Sequence, residues 1–114
     1  MWFRRKVQHG NKLGRTIGFP TLNLNVGGAM AQVGAGVYAC EVRIHQRWYK
    51  GAMHLGPKMG GQAPAFEIFV LDFNTMIYGE WITVRVGKKI RNLMTFSSVD
   101  ALKKQIEDDV KKVL

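Results

Sequence analysis

The feature that most narrows what this chain can become is a two-residue hydrophobic alternation, repeated in short runs between glycine-rich breaks. In Val37–Ile44 the residues Tyr38, Cys40, Val42 and Ile44 fall on one side, with Glu41 and Arg43 on the other. Trp48–Leu55 follows after the polar stretch His45-Gln46-Arg47, which predicts a hairpin. Phe66–Phe73 is apolar on both sides except at Glu67 and Asp72, the pattern of a central strand. Trp81–Val86 alternates Ile82, Val84 and Val86 against Thr83 and Arg85. Gly27-Gly28, Gly34-Ala35-Gly36, Gly60-Gly61 and Asn74-Thr75 supply the turns. Only the tail changes period. Val99, Leu102, Ile106, Val110 and Val113 recur at three- and four-residue spacing, a helix for which Ser97 or Ser98 supplies the cap. Nothing suggests the strand–helix alternation of a parallel sheet. The expected class is mainly β, an antiparallel barrel or sandwich carrying one helix.

Length and charge set the remaining bounds. With 114 residues there is room for one core and one domain. A single cysteine, Cys40, excludes an internal disulfide and a cysteine zinc site, and its place in a strand pattern reads as a buried, inert thiol. No run approaches the roughly 20 apolar residues of a membrane span. The N-terminus lacks a signal peptide's apolar region, so a cytoplasmic setting and no membrane partner are expected. Met1–Lys6 leaves little room for an upstream domain. In the tail, Lys103, Lys104, Lys111 and Lys112 balance Asp100, Glu107, Asp108 and Asp109, so the whole net charge of +9 falls within residues 1–97. Such a field attracts polyanions. The scattering of the basic residues argues against nucleic acid, with Arg4-Arg5-Lys6 the one tight cluster.

Chemistry concentrates near the start, in Gly14-Arg15-Thr16-Ile17-Gly18-Phe19-Pro20-Thr21-Leu22-Asn23-Leu24. Glycines let backbone N–H groups approach a ligand, and Pro20 fixes its own φ while biasing Phe19 toward an extended conformation. An extended Thr21-Leu22-Asn23 sends the Thr21 hydroxyl and the Asn23 carboxamide to one side. Two neutral oxygens so placed suit Mg²⁺, which takes few protein ligands and fills its shell with waters and phosphates. The alternative reading of such residues is an ordinary turn.

The run His9-Gly10-Asn11-Lys12-Leu13-Gly14-Arg15, followed by Gly18-Phe19-Pro20-Thr21-Leu22-Asn23-Leu24, resembles the opening of the riboflavin kinase family. Later segments keep that family's order: Gly36–Ala39, Tyr49–Gly56, Phe66–Phe73, Tyr78-Gly79, Ile90-Arg91, Phe96-Ser97-Ser98 and the tail helix. The resemblance runs from about Val7 onward. It is shared with the kinase module of bacterial bifunctional FAD synthetases. It implies a small antiparallel, Greek-key-type β-barrel closed by a C-terminal α-helix. The whole chain, residues 1–114, would be one such domain, with the barrel over about 5–96 and the helix over about 98–114. It also implies a kinase that moves the ATP γ-phosphate to the 5′-hydroxyl of riboflavin, giving FMN and ADP with Mg²⁺ as cofactor; a monomer is expected.

Only eight carboxylates exist, and the four in the tail read as its solvated face. A general base must then be Glu41, Glu67, Asp72, Glu80 or one of His9, His45 and His54. Glu67, flanked by Phe66, Ile68 and Phe69, is a site where burial raises a carboxyl pKa toward neutrality, although a barrel-rim carboxylate looks the same in sequence. The family resemblance places the catalytic glutamate at Glu67. No Walker sequence is present, so phosphate binding falls to the Gly10–Gly14 loop, with Lys12 and Arg15 supplying charge. By the same resemblance Arg91 lies near the flavin. Three departures stand out: His54 where an asparagine is more usual, Leu93 where an acidic residue is frequent, and a changed loop from Pro57 to Ala65. They leave open a catalytically weak flavin- or nucleotide-binding module of the same fold. A basic RNA-binding barrel stacking bases on Trp48, Tyr49 and Phe69 is the alternative from another class.

Overall fold

A computed structural model describes residues 1–9, 21–57 and 64–114. Six strands, β1 (Trp2–Gln8), β2 (Thr21–Leu24), β3 (Gly36–Ile44), β4 (Arg47–Pro57), β5 (Pro64–Val70) and β6 (Trp81–Arg91), close into a barrel in the order β1-β2-β5-β4-β3-β6. Every pairing is antiparallel. A short helix α1 (Ala29–Val33) lies between β2 and β3, and α2 (Val99–Val113) ends the chain. The strands β3, β4 and β5 run as consecutive neighbours, while β2 leaves its chain neighbour β3 to pair with β5 in Greek-key fashion. The mainly β class, the closed antiparallel barrel and the C-terminal helix expected from the sequence are all present.

Alternation decides which side chains fill the barrel. Leu22 and Leu24 on β2, Tyr38, Cys40, Val42 and Ile44 on β3, and Met53 and Leu55 on β4 point inward and are buried. Phe66 and Ile68 on β5, Ile82 and Val84 on β6, and Phe3 and Val7 on β1 complete the same core. Phe3 meets Phe66 edge to face, with ring centroids 5.7 Å apart across the interior. Burying each such side chain contributes about 1.5–3 kcal/mol, and a closed barrel leaves no strand edge open to other chains. Cys40 belongs to this core, and burial, with a smaller push from Glu41, raises its thiol from 9.0 to about 12. The expected inert thiol is what the fold contains.

Two local expectations shift. The fifth strand stops at Val70, because Leu71 and Asp72 form a turn and Asp72 takes a positive φ of 58°. The sixth runs past Val86 to Arg91, passing register irregularities against β3 between Val37 and Cys40. On the outer side, Glu41 pairs across the sheet with Arg85, whose Nε donates to it at 2.9 Å. The hairpin expected after Ile44 is present, a tight turn at His45-Gln46 that pairs Ile44 with Arg47, with both central residues at positive φ.

The tail helix begins at its expected cap: Ser98 accepts a hydrogen bond from the Ala101 N–H at 3.1 Å. Its buried face is rotated from the one the apolar spacing predicts. Ile106, Asp109 and Val113 are buried, while Val99 is exposed. The helix lies across the outside of β4 and β3. Among the described residues no helix is long and apolar enough to cross a membrane.

Candidate active site

Register brings the chemical residues together. Gln8 on β1 faces Asn23 on β2, Asn23 faces Glu67 on β5, and Glu67 faces His54 on β4. His54 in turn faces Val37 on β3, and Val37 faces Arg91 on β6. One row of cross-strand partners thus circles all six strands. Directly paired residues share a face of the sheet, and the neighbours of this row, Leu22, Leu24, Ile68 and Met53, fill the interior. The row therefore lines the outer surface of the barrel. Asn23, Glu67 and His54 are half-buried there, on adjacent strands spaced about 4.8 Å apart.

Thr21 lies one alternation step from Asn23 and shares its outer face, paired with Phe69. The expected presentation of two neutral oxygens on one side is present, because Leu22 between them is anchored inward in the core. Beside Thr21 a small cavity of about 90 Å³ opens between β2, the end of β5 and the segment around Asn74–Tyr78. Tyr78 stacks on His9 with ring centroids 3.8 Å apart, tying this segment to the chain just beyond β1. The phosphate-loop candidates Gly10, Lys12, Gly14 and Arg15 lie outside the described residues.

At the other end of the row stands a buried ion pair that the sequence did not disclose. The Arg91 Nε donates to Asp109 Oδ1 at 2.9 Å and its Nη2 to Oδ2 at 2.8 Å, a two-pronged contact with side chains 14% and 4% exposed. Nη1 reaches the Asn92 carbonyl at 3.1 Å, and the Gln105 amide donates to Asp109 at 3.0 Å. Asp109, read from sequence as part of a solvated face, instead pins α2 to the barrel. Arg91 is the last residue of β6 rather than a residue beyond it, and its fork is spent mostly on that carboxylate.

His54 occupies the middle of the row. Its Nδ1 is buried and has no hydrogen-bond partner among the described residues. Burial lowers its pKa from 6.5, the Arg91 cation lowers it further, and the Asp109 carboxylate opposes both. The ring is neutral at physiological pH. A Cβ added to Gly56, which has φ of +140°, would come within 2.5 Å of Leu93 Cδ1, so Leu93 packs directly on that strand backbone. Gly56 is two residues from His54 and shares its face. An aliphatic side chain, not the acidic one frequent at this place, covers the β4 backbone two residues from His54.

The other chemical candidates sit elsewhere. Glu80 is exposed and contacts His45, and Glu41 is taken by Arg85. Asp72 occupies its turn. The three aromatics considered as a base-stacking platform do not share one: Trp48 is exposed on the outside, while Tyr49, the next residue along β4, turns the other way and packs against Phe73 at 5.2 Å. Trp48 meets Trp2 edge to face at 5.7 Å, and the Arg85 guanidinium lies 4.9 Å from the Trp48 ring.

Comparison with known proteins identifies the family. The flavokinase family model, described as riboflavin kinase, matches residues 1–114. A bifunctional riboflavin kinase/FMN adenylyltransferase of Haemophilus influenzae is 43% identical over 108 residues, covering 92% of this chain and 35% of the relative. The RNA-binding riboflavin kinase RibR of Bacillus subtilis is 36% identical over 107 residues, covering 91% of this chain and 46% of that protein. The crystal structure of riboflavin kinase from Trypanosoma brucei superposes with a TM-score of 0.67 at 25% identity, covering 98% of this chain and 76% of that one. The chain spans about a third of the length of the bifunctional relatives it matches, 35% and 36% for those of Haemophilus influenzae and Bacillus subtilis. With a family model matched from end to end, and with the barrel and its C-terminal helix in place, this chain belongs to the riboflavin kinase family.

Proposed function

We propose that this domain is a riboflavin kinase, transferring the ATP γ-phosphate to the 5′-hydroxyl of riboflavin to give FMN. The observation that carries the reading is the register that lines up Asn23, Glu67 and His54 on one outer face, with Thr21 one step away. Phosphoryl transfer asks a protein for positioning and charge neutralisation more than for covalent work. The row offers the parts in sequence: neutral oxygens on β2, a carboxylate on β5, and an apolar surface toward Val37 and α2.

The donor set on β2 fits Mg²⁺. A hydroxyl and a carboxamide oxygen on one face are hard, neutral ligands, and such a site leaves most of the ion's shell to waters and phosphates. Thr21 and Asn23 would hold the ion, which supplies charge neutralisation to the ATP phosphates. Lys12, Arg15 and the backbone of the Gly10–Gly14 loop are the remaining candidates for binding those phosphates. Glu67 accepts the proton of the 5′-hydroxyl as that oxygen attacks phosphorus. Arg91 acts on the flavin side by holding α2 through Asp109, which shapes the wall against which a flat aromatic ring would lie.

The test is direct. Purified protein incubated with riboflavin and Mg-ATP is expected to form FMN and ADP in equal amounts, read by chromatography. Riboflavin binding without FMN would leave the weak binding module as the correct reading, and binding of neither substrate would overturn both.

A further inference from the structure

The Nδ1 of His54 is the one buried side-chain nitrogen or oxygen without a hydrogen-bond partner among the described residues. Buried polar groups are nearly always paired, so an unpaired one calls for an explanation. Its surroundings do not supply a partner. Arg91, Asp109 and Gln105 satisfy one another in a closed network. Val37 and Leu93 are aliphatic, and the Gly56 backbone is covered by Leu93. By its register His54 belongs to the outer face where the candidate site is, with Glu67 as its cross-strand neighbour.

Position suggests what it meets. Strands lie about 4.8 Å apart, so His54 is one strand from Glu67 and two from Arg91 along the row. With the kinase reading, on which this step rests, the 5′-hydroxyl is at Glu67 and the ring lies toward α2. The part of riboflavin that spans the interval is the ribityl chain, whose free hydroxyls each donate and accept. A neutral imidazole also has one donor and one acceptor nitrogen, which makes it a suitable partner for a hydroxyl in either sense. The lowered pKa keeps the ring in that neutral form.

We infer that His54 is a specificity-determining residue that hydrogen-bonds the ribityl hydroxyls of the flavin and so selects a polyol side chain over a deoxygenated one.

The test compares riboflavin with an analogue lacking one ribityl hydroxyl but keeping the 5′-hydroxyl, for wild type, His54→Phe and His54→Asn. Binding is followed by quenching of flavin fluorescence and turnover by formation of the phosphorylated flavin. A neutral hydrogen bond lost from a site weakens binding by about tenfold. His54→Phe is therefore expected to raise Kd and KM for riboflavin about tenfold, to leave KM for ATP unchanged, and to bind the best-matched deoxy analogue as wild type does. His54→Asn, which keeps a donor and an acceptor, is expected to recover part of the discrimination. Equal losses on riboflavin and on every deoxy analogue would overturn the inference, as would a fall in kcat with Kd unchanged, since that would mean His54 acts through Glu67. If His54→Phe does not fold, His54→Ala gives the same comparison. Wild-type protein that binds riboflavin without phosphorylating it would refute the kinase reading alone, because the binding arm still decides the role of His54. Failure to bind riboflavin at all would refute both.

Discussion

At the scale of single residues, Glu67 and Thr21 separate the kinase reading from its alternatives. Glu67→Gln keeps the shape and the hydrogen-bonding reach of the side chain but cannot take a proton. If Glu67 is the general base, kcat falls by about 10²–10⁴-fold, while riboflavin binding and the melting temperature stay near wild type. Turnover close to wild type in a folded variant would remove Glu67 from that role. Thr21→Ala deletes one of the two neutral oxygens without touching the core, since Thr21 faces outward. The Mg²⁺ concentration needed for half-maximal rate should rise. An unchanged metal titration would show that Thr21 is not a ligand. Both residues were legible in sequence for a simple reason: alternation alone sends Thr21 and Asn23 to one side, and the apolar neighbours of Glu67 mark it as unusual.

At the scale of elements, the decisive contact joins α2 to β6. The sequence shows the helix, its Ser98 cap and most of its apolar spacing, because those depend on residues within a few positions of each other. Asp109 is different. Its partner Arg91 is 18 positions away on another element, so nothing in the helical pattern marks that carboxylate as buried. Asp109→Ala leaves the Arg91 guanidinium buried without its counter-ion, and the expected loss of stability is about 3–5 kcal/mol, measured by urea unfolding. Replacing both partners, Arg91→Met with Asp109→Leu, should restore much of that loss, since desolvating the pair offsets most of its attraction. A double variant no more stable than Asp109→Ala would mean the contact is held by geometry that no apolar pair can replace.

For the whole molecule, pH is the informative variable. The folded state holds His54 neutral below its ordinary pKa of 6.5, chiefly through burial and then through Arg91, with Asp109 opposing. In the unfolded chain the same ring takes a proton as pH falls through 6.5. The unfolded state then binds more protons than the folded one, so this group's contribution to stability is present above 6.5 and is lost as pH falls toward the lower folded value. Urea midpoints taken at about pH 7.5 and about pH 5.5 should therefore drop more for wild type than for His54→Asn. The two proteins differ only at position 54, so the difference between their drops isolates that residue. An equal drop in both would show that the imidazole is not held neutral by the fold.

What the sequence by itself determined is local: most of β3 to β6, though not β1 or the short α1, where the tail becomes a helix, and that Thr21 and Asn23 face the same way. These follow from backbone geometry over a few residues, and a family resemblance carried in short motifs reads the same scale. Closure, register and burial were decided only by the tertiary structure. That Gln8, Asn23, Glu67, His54, Val37 and Arg91 form one row depends on five strand pairings, only one of which, β3 with β4, is a tight hairpin. A shift of one residue in any pairing would send that strand's residues to the opposite face. The same long-range contacts bury Asp109 against Arg91 and leave the His54 nitrogen unpaired, because burial depends on what packs from elsewhere in the chain and not on the residue's own neighbours.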